Sequence, residues 1–427
     1  MTPAHTDPPT QVEPSPPTAP EAGADLERRV TEVGLALRAS LDALLDSLGG
    51  ATRRPQALAD RLGVDKVLTS RLLKALDARD PIAVVHYAPG PAPLARVLAG
   101  ARREGAATLA LAAAEAAIAD FERLIKVEVG DRGYLDSILS AWLPEARREN
   151  ELRSKQTAWR AMSQLRGVSA DVDFTTVLLH PNDDGEHIDV IWLIGMLGLR
   201  RLRPGARARF ATRRNVGGSG GDRRPRTLDG DPVDAAQVQS LRLDQFCHAP
   251  PAPLDVVTAG EVVHYSLGGR AFGPESAVDL VFAEANFAEL PRTVPTGSGR
   301  RGYVFAECTT PSRVLSFDVL VHADLYPDQA PRLDIYDTAG EGVASPNSPE
   351  RDADRLDLAE QVEELGQGLD RVRARDIPDY AGLLRHVFAR TGWDAAQFRG
   401  YRVRVDYPVY GSQVTLSFAA PEGDAAK

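Results

Sequence analysis

The sequence predicts an α+β chain, with an all-α N-terminal part and a C-terminal mixed antiparallel sheet region that carries helices. Three observations carry this. Leu26, Val30, Val33, Leu37, Leu41, Leu44, Leu45 and Leu48 recur at three- and four-residue steps, the period of one helical face. Residues 92–166 read as helix almost throughout. After Gly167 the apolar period shifts towards two, the period of a strand.

The elements follow in order. Residues 1–24 hold seven prolines and no aromatic residue, too little apolar surface to offset chain entropy, so a disordered tail is expected there. A first domain is expected over 25–100. Its long first helix is stopped by Gly49-Gly50, and two short helices follow at 55–62 and 66–77. Ile82 to Tyr87 reads as a strand and Pro89-Gly90-Pro91 as a turn. Residues 101–167 read as a helical linker. Within it Ala106 to Ala119 is rich in alanine, a thin helix that permits close approach, read here as an ordinary internal helix. Trp142 and Trp159 are expected to mark faces packed on the next domain.

Residues 168–345 are expected to form a β-rich sensor or assembly region, and 346–420 a helix-plus-sheet unit. Strands are predicted at Phe174–Leu179, His187–Ile194 (alternatively a buried helix), Ala206–Thr212, Ala277–Phe282, Tyr303–Cys308, Val314–Val321, Arg332–Tyr336, Arg402–Tyr407 and Val414–Phe418. Helices are predicted near 352–375 and 378–390. In the first of these, Leu358, Val362, Leu365, Leu369 and Val372 step as a short heptad seam, weakened by Gly366 and Gly368 and read as a helix packed on the sheet.

Composition excludes several classes. The chain has 427 residues, enough for two or three domains, and 43% hydrophobic residues, enough for packed cores. The longest uncharged apolar run, Val190 to Leu199, is half of the roughly 20 residues a membrane span needs. No basic start followed by an apolar block marks a secretory signal, so a cytoplasmic protein without membrane partners is expected. Two cysteines, Cys247 and Cys308, support neither a disulfide scaffold nor a four-thiolate zinc site. A net charge of −10 argues against coating nucleic acid along the whole length but leaves room for a local basic patch.

The segment with the most chemical content is PQALADRLGVDKVLTSRLLKAL, residues 55–76. Leu58, Ala59 and Leu62 form the inner face of a first short helix. Gly63 sits at a sharp turn that needs a positive φ, and Val64 plugs the corner. Leu68, Leu72 and Leu76 bury the second helix, which leaves Asp65, Lys66, Ser70, Arg71 and Lys74 outside. A helix of that shape fits a major groove. Between Ala51 and Asp80, seven Arg or Lys stand against four Asp, a local balance of +3.

This segment resembles the helix-turn-helix of bacterial winged-helix regulators of the IclR and MarR type, through LADRLGV followed by TSRLLKAL. The resemblance covers about 50 to 75 residues. It implies contact with double-stranded DNA through Lys66, Ser70, Arg71 and Lys74, with Lys66, Arg71 or Lys74 on phosphates and Ser70 or Arg71 on a base edge. It also implies a homodimer and a wing, for which Ile82 to Tyr87 supplies one strand. A helix-turn-helix used only for packing or dimerisation stays open as the alternative.

Other clusters are read structurally. Arg200, Arg201, Arg203, Arg207, Arg209, Arg213 and Arg214, followed by Arg223, Arg224 and Arg226, could grip phosphate but read as a solvated strand face. HPNDDGEH, residues 180–187, groups possible metal ligands in a spacing that matches no metal pattern and reads as a polar turn. Gly217 to Gly221 reads as a flexible loop, with no phosphate-cradling lysine behind it. Trp393, Phe398, Tyr401, Tyr407 and Tyr410 read as the core of a small unit. No catalytic constellation, metal site or cofactor motif is found. The expected function is a DNA-binding transcriptional regulator whose C-terminal region senses a small-molecule or protein effector, or assembles the dimer. The alternatives are an assembly protein, and an enzyme that would need a deep pocket with convergent, pKa-shifted side chains within 168–420.

Overall fold

The computed structural model describes residues 19–49, 53–214, 226–233, 235–247, 251–259, 262–327, 330–368 and 372–423. These fall into two compact units divided between Asn150 and Glu151. The α+β class holds: helices dominate the first unit and sheets the second. No helix among the described residues is long and apolar enough to cross a membrane. Of the expected tail, residues 1–18 lie outside the described set, and Ala19 already begins the first helix.

The first unit is built from α1 (Ala19–Ser47), α2 (Pro55–Leu62), α3 (Lys66–Asp77), α4 (Pro81–Tyr87), α5 (Pro91–Arg103), α6 (Thr108–Arg123) and α7 (Arg132–Leu139). A π-helical turn, Leu124–Val129, continues α6, and α8 (Pro144–Arg166) contains the division between units. The leucine stripe predicted for α1 is its buried face: Val30, Val33, Leu37, Leu41 and Leu44 are each at most 2% exposed. They share one core with Leu58, Leu72, Leu94, Leu111, Phe121 and Leu139. Residues 101–139, expected as part of a linker, therefore close the same core as 25–100. Trp142, expected to face the next domain, packs on this core instead.

The strand expected at Ile82–Tyr87 is helix α4. Asp80 caps it by accepting from the Ile82 N–H at 2.9 Å, and Pro81 occupies its first turn, where no N–H is needed. Those two signals outweigh the β-branched run Ile82, Val84, Val85, whose strand preference is weak. Likewise Pro91 opens α5 instead of closing a turn. No strand occurs among the described residues of this unit, so the wing is absent from them.

Two glycines let backbones touch. A Cβ at Gly34 would lie 2.1 Å from the Pro81 carbonyl oxygen, and one at Gly100 would lie 2.3 Å from that of Leu62. Close backbone approach is thus what seats α4 on α1 and α5 on α2.

The second unit begins with β1 (Val168–Pro181), β2 (His187–Arg201), β3 (Arg209–Arg214), β4 (Leu254–Ala259), β5 (Val262–Leu267), β6 (Val278–Pro291) and β7 (Val294–Pro295). It continues with β8 (Arg301–Glu307), β9 (Ser312–His322), β10 (Arg332–Asp337), β11 (Glu363–Gln367), α9 (Tyr380–Thr391), β12 (Phe398–Asp406), β13 (Ser412–Ala419) and β14 (Glu422–Gly423). Every predicted strand after Gly167 is present, including His187–Ile194, which is strand and not buried helix. The central sheet has the order β11-β12-β9-β1-β2-β6, antiparallel except for the β1–β9 pair. Alternation along its strands makes two buried faces. Phe174, Leu178, Leu193 and Ala283 pack under α9. Val177, Leu179, Val190 and Phe317 face the sheet β10-β13-β8. A third sheet, β3-β5-β4, packs on Met196, Leu280 and Phe282. Residues 346–420 are not a separate unit, because β12 pairs with β9 inside the central sheet.

The helix expected near 352–375 is also absent from the described residues. A short 3-10 turn at Pro349–Asp354 is followed by extended chain and β11, and the seam residue Leu369 lies outside the described set. Gly366 and Gly368 adopt φ of +82° and +79°, a left-handed backbone that breaks a right-handed helix. The heptad residues go to different places: Leu365 and Val372 lie under α9, Leu358 and Val362 on the opposite face of the sheet.

One buried polar cluster fastens α9 to the sheet. Arg402 on β12 donates to both oxygens of Asp318 on β9, at 2.8 and 2.6 Å. The Tyr380 hydroxyl of α9 donates to the same carboxylate at 2.6 Å and lies 2.7 Å from the Thr176 hydroxyl of β1. Burial, and then the charge of Asp318, push the Tyr380 phenol well above its usual range, so it stays a donor.

Two expectations follow. Asp318→Ala leaves Arg402 buried without its counter-charge, and lowers the unfolding free energy of the second unit by about 3–5 kcal/mol in denaturant titration. Gly34→Ala destabilises the first unit by about 1–3 kcal/mol, because backbone is the obstacle. Gly340→Ala, with nothing within 4 Å, is the control and shifts stability by less than about 0.5 kcal/mol.

Candidate functional site

The helix-turn-helix forms as its sequence implies. Gly63 closes α2 at φ +63°, and its N–H reaches the Ala59 carbonyl. Asp65 then caps α3, accepting from the Leu68 N–H at 2.8 Å. That bond, with Arg96 at 3.0 Å, holds the Asp65 carboxyl below its usual range. Leu68, Leu72, Leu73 and Leu76 are buried. Thr69 is fully buried as well, its hydroxyl 2.7 Å from the Pro55 carbonyl and 3.0 Å from that of Lys66. It pins the start of α3 to the start of α2, a role that hydrophobic periodicity does not reveal.

Lys66, Ser70, Arg71 and Lys74 are all exposed, as is Val67 between them. Steps of three and four place them on one face of α3. Lys66 and Arg71 have no carboxylate partner among the described residues, and neither do the exposed Arg54 and Arg79 on either side of the motif. Lys74 differs. Its Nζ lies 3.8 Å from the centre of the Tyr87 ring and 3.9 Å from Glu149, so it is held against its own unit. Of the four residues named from sequence, three are thus open to a partner and the fourth is engaged.

Among the described residues, the arginine-rich stretch is largely structural. Arg200 grips Asp171 with two bonds, at 2.8 and 2.9 Å. Arg201, 5% exposed, donates to the carbonyls of Ala206, Leu267 and Gly268. Arg203 donates to the Leu165 carbonyl, and Arg226 to that of Gly230. Arg207 is exposed and Arg209 half-buried. The side chains of Arg213 and Arg214, together with Gly217 to Gly221, Arg223 and Arg224, lie outside the described set. HPNDDGEH forms the β1–β2 turn, where Asp184 accepts from the Glu186 and His187 N–H groups at 2.8 and 2.9 Å. Trp393 stacks on His180 at 4.5 Å and, half-buried, packs against the core, while Phe398 packs edge-on to Phe388 within it. Trp159 pairs with Tyr407 at 5.3 Å.

A pocket of about 480 Å³ in the second unit has no counterpart in the sequence reading. Asp173 and Thr175 of β1 line it, with Trp192 and Ile194 of β2 and Glu284 and Asn286 of β6. Phe210 and Thr212 of β3 and Tyr265 of β5 line one side, and Tyr303, Phe305 and Glu307 of β8 another. No lysine, arginine or histidine is among the described lining residues. The Trp192 indole N–H donates to Glu289 at 3.1 Å, and the Asn286 amide to Glu284 at 3.0 Å. Asp173 is 5% exposed and makes no hydrogen bond or ion pair with the described residues. Burial pushes its carboxyl up to about 8. The neighbouring thiol, Cys308, is fully buried, and burial followed by the Asp173 charge raises it further, which leaves it a poor nucleophile.

These residues come from six strands spread over more than a hundred positions, so no local motif announces them. The one legible sign is Asp173 itself, a charged residue on a strand that is otherwise almost wholly buried.

The raised carboxyl makes stability depend on pH. Between the unfolded value near 4 and the folded value of about 8, the folded chain holds the proton and the unfolded chain does not. The penalty from Asp173 therefore grows as pH rises through that window and is constant above it. Asp173→Asn is expected to match the parent near pH 4 and to be more stable at pH 8, by about 2 kcal/mol or more, in paired denaturation curves. No family model, no curated protein and no solved structure matches this chain.

Proposed function

We propose that the chain is a DNA-binding transcriptional regulator that reads double-stranded DNA through α3 and senses an effector through its second unit. The observation that carries this reading is the outer face of α3. Lys66, Ser70 and Arg71 stand together on it, exposed and without carboxylate partners among the described residues, while the opposite face is core. Cations in that state are free to replace condensed counterions on a phosphate backbone. Asp65, which precedes the helix, is already occupied by the Leu68 N–H and Arg96. Exposed Val67, on the same face, offers an apolar contact for a thymine methyl. With no wing among the described residues, Arg54 and Arg79 are the cations that would flank the helix on the duplex.

The test is retention of genomic duplex fragments across a salt series. Affinity falls with salt, and Lys66→Ala and Arg71→Ala each reduce the slope of log K against log salt by about 1. Lys74→Ala changes it less, because Tyr87 and Glu149 hold that side chain. Ser70→Ala alters sequence preference without altering the slope. Salt-independent binding, or no effect of Lys66→Ala and Arg71→Ala together, refutes the reading.

A second reading, an assembly protein whose N-terminal helices only dimerise, is favoured by Leu109, 84% exposed on the alanine-rich α6, and Leu35, 54% exposed on α1. It predicts no DNA retention, and a dimer that Leu109→Asp dissociates in sedimentation.

A further inference from the structure

The pocket of the second unit combines three features that point to one ligand chemistry. Its volume, about 480 Å³, suits a small organic molecule. Its walls carry the rings of Trp192, Phe210, Tyr265, Tyr303 and Phe305. The charged groups among its described lining residues are all acids: Asp173, Glu284, Glu289 and Glu307. Aromatic faces are electron-rich and attract cations, and an alkylated ammonium gains both from the rings and from a carboxylate that water does not screen. The Trp192 N–H lies in the plane of its ring, so its bond to Glu289 occupies the ring edge and not a face.

We propose that this pocket binds a small organic cation of the alkylammonium class, with the aromatic side chains around the cation and Asp173 as its counter-charge. Asp173 carries the argument. A carboxyl that is 5% exposed, lines the pocket and finds no partner among the described residues is costly to ionise without a counter-charge. A bound cation supplies the missing partner. The proposal names the effector class of the sensor unit and rests on the regulator reading only for its regulatory consequence; the binding itself does not depend on DNA.

Binding is coupled to a proton. Burial keeps Asp173 largely protonated at pH 7, and a permanent cation beside it favours its ionised form, so binding releases that proton. The other titratable groups around it are Glu284 and Glu289 on β6, Glu307 and Tyr303 on β8, Cys308 beyond β8, and Tyr265 on β5. Two residues back on β1, Asp171 is paired with Arg200 and has Arg313 at 3.6 Å.

The experiment is isothermal titration of the full chain with choline and with benzyltrimethylammonium, against the uncharged isostere of choline, 3,3-dimethylbutan-1-ol. At least one cation is expected to bind saturably. The isostere binds at least about tenfold weaker than choline. Affinity for the cation rises up to about tenfold per pH unit below pH 8 and levels off above it. Titration in two buffers of different ionisation enthalpy shows a proton released near pH 7. Asp173→Asn abolishes the pH dependence and the proton release. Phe305→Leu, at a half-buried position, weakens the cation several-fold and keeps the pH dependence. No saturable cation binding at pH 9 overturns the proposal, as does equal binding of choline and its isostere, or unchanged pH dependence in Asp173→Asn. Failure here leaves DNA retention by α3 untouched, and loss of DNA retention leaves cation binding untouched.

Discussion

The Asp318 carboxylate holds the second unit in register. It lies on β9, accepts both arms of Arg402 from β12, and accepts the Tyr380 hydroxyl from α9, which in turn meets Thr176 on β1. Three sheet strands and the covering helix therefore converge on one buried charge. Such a cluster gains little over a well-packed apolar core, but a one-residue slip of β12 or β9 would strand a guanidinium or a carboxylate. Register in turn decides which residues face β8 and β3, because alternate positions along β1, β2 and β6 point to opposite sides. Asp173, Thr175, Trp192 and Glu284 share the pocket only while that register holds.

The two units carry opposite chemistry. The α3 surface presents Lys66 and Arg71 without a carboxylate partner among the described residues, while the pocket gathers carboxyl groups and rings without a described cation. The net charge of −10 hides this separation. It also shows why arginine density alone misleads. The described part of the densest arginine stretch largely grips its own backbone and Asp171, whereas the sparser set near α3 is open to solvent.

What the sequence disclosed follows from the range of the interactions involved. Helical period and local capping specify α1, α2 and α3, including the turn at Gly63, from fewer than thirty consecutive residues each. Strand period located the long strands equally well. Ile82 to Tyr87 was misleading because its β-branched residues speak for a strand while Asp80 and Pro81, just upstream, begin a helix. Leu358 to Val372 kept a heptad spacing by coincidence, since Gly366 and Gly368 take a backbone no helix accepts. The pocket was hidden for a different reason: its floor is assembled by pairing between distant strands, and pairing partners are not written in any local window.

The parallel pairing of β1 with β9 has a consequence for synthesis. β1 finds β2 at once through a tight turn, but its other edge waits until Ser312–His322 has been made. At a translation rate of roughly 5–20 residues per second, the intervening stretch of about 130 residues takes on the order of ten seconds to emerge. Throughout that interval a valine- and leucine-rich ribbon sits at the ribosome with unsatisfied main-chain amides along one side. Slowing elongation beyond residue 181 lengthens the time for which this edge of β1 is unpaired.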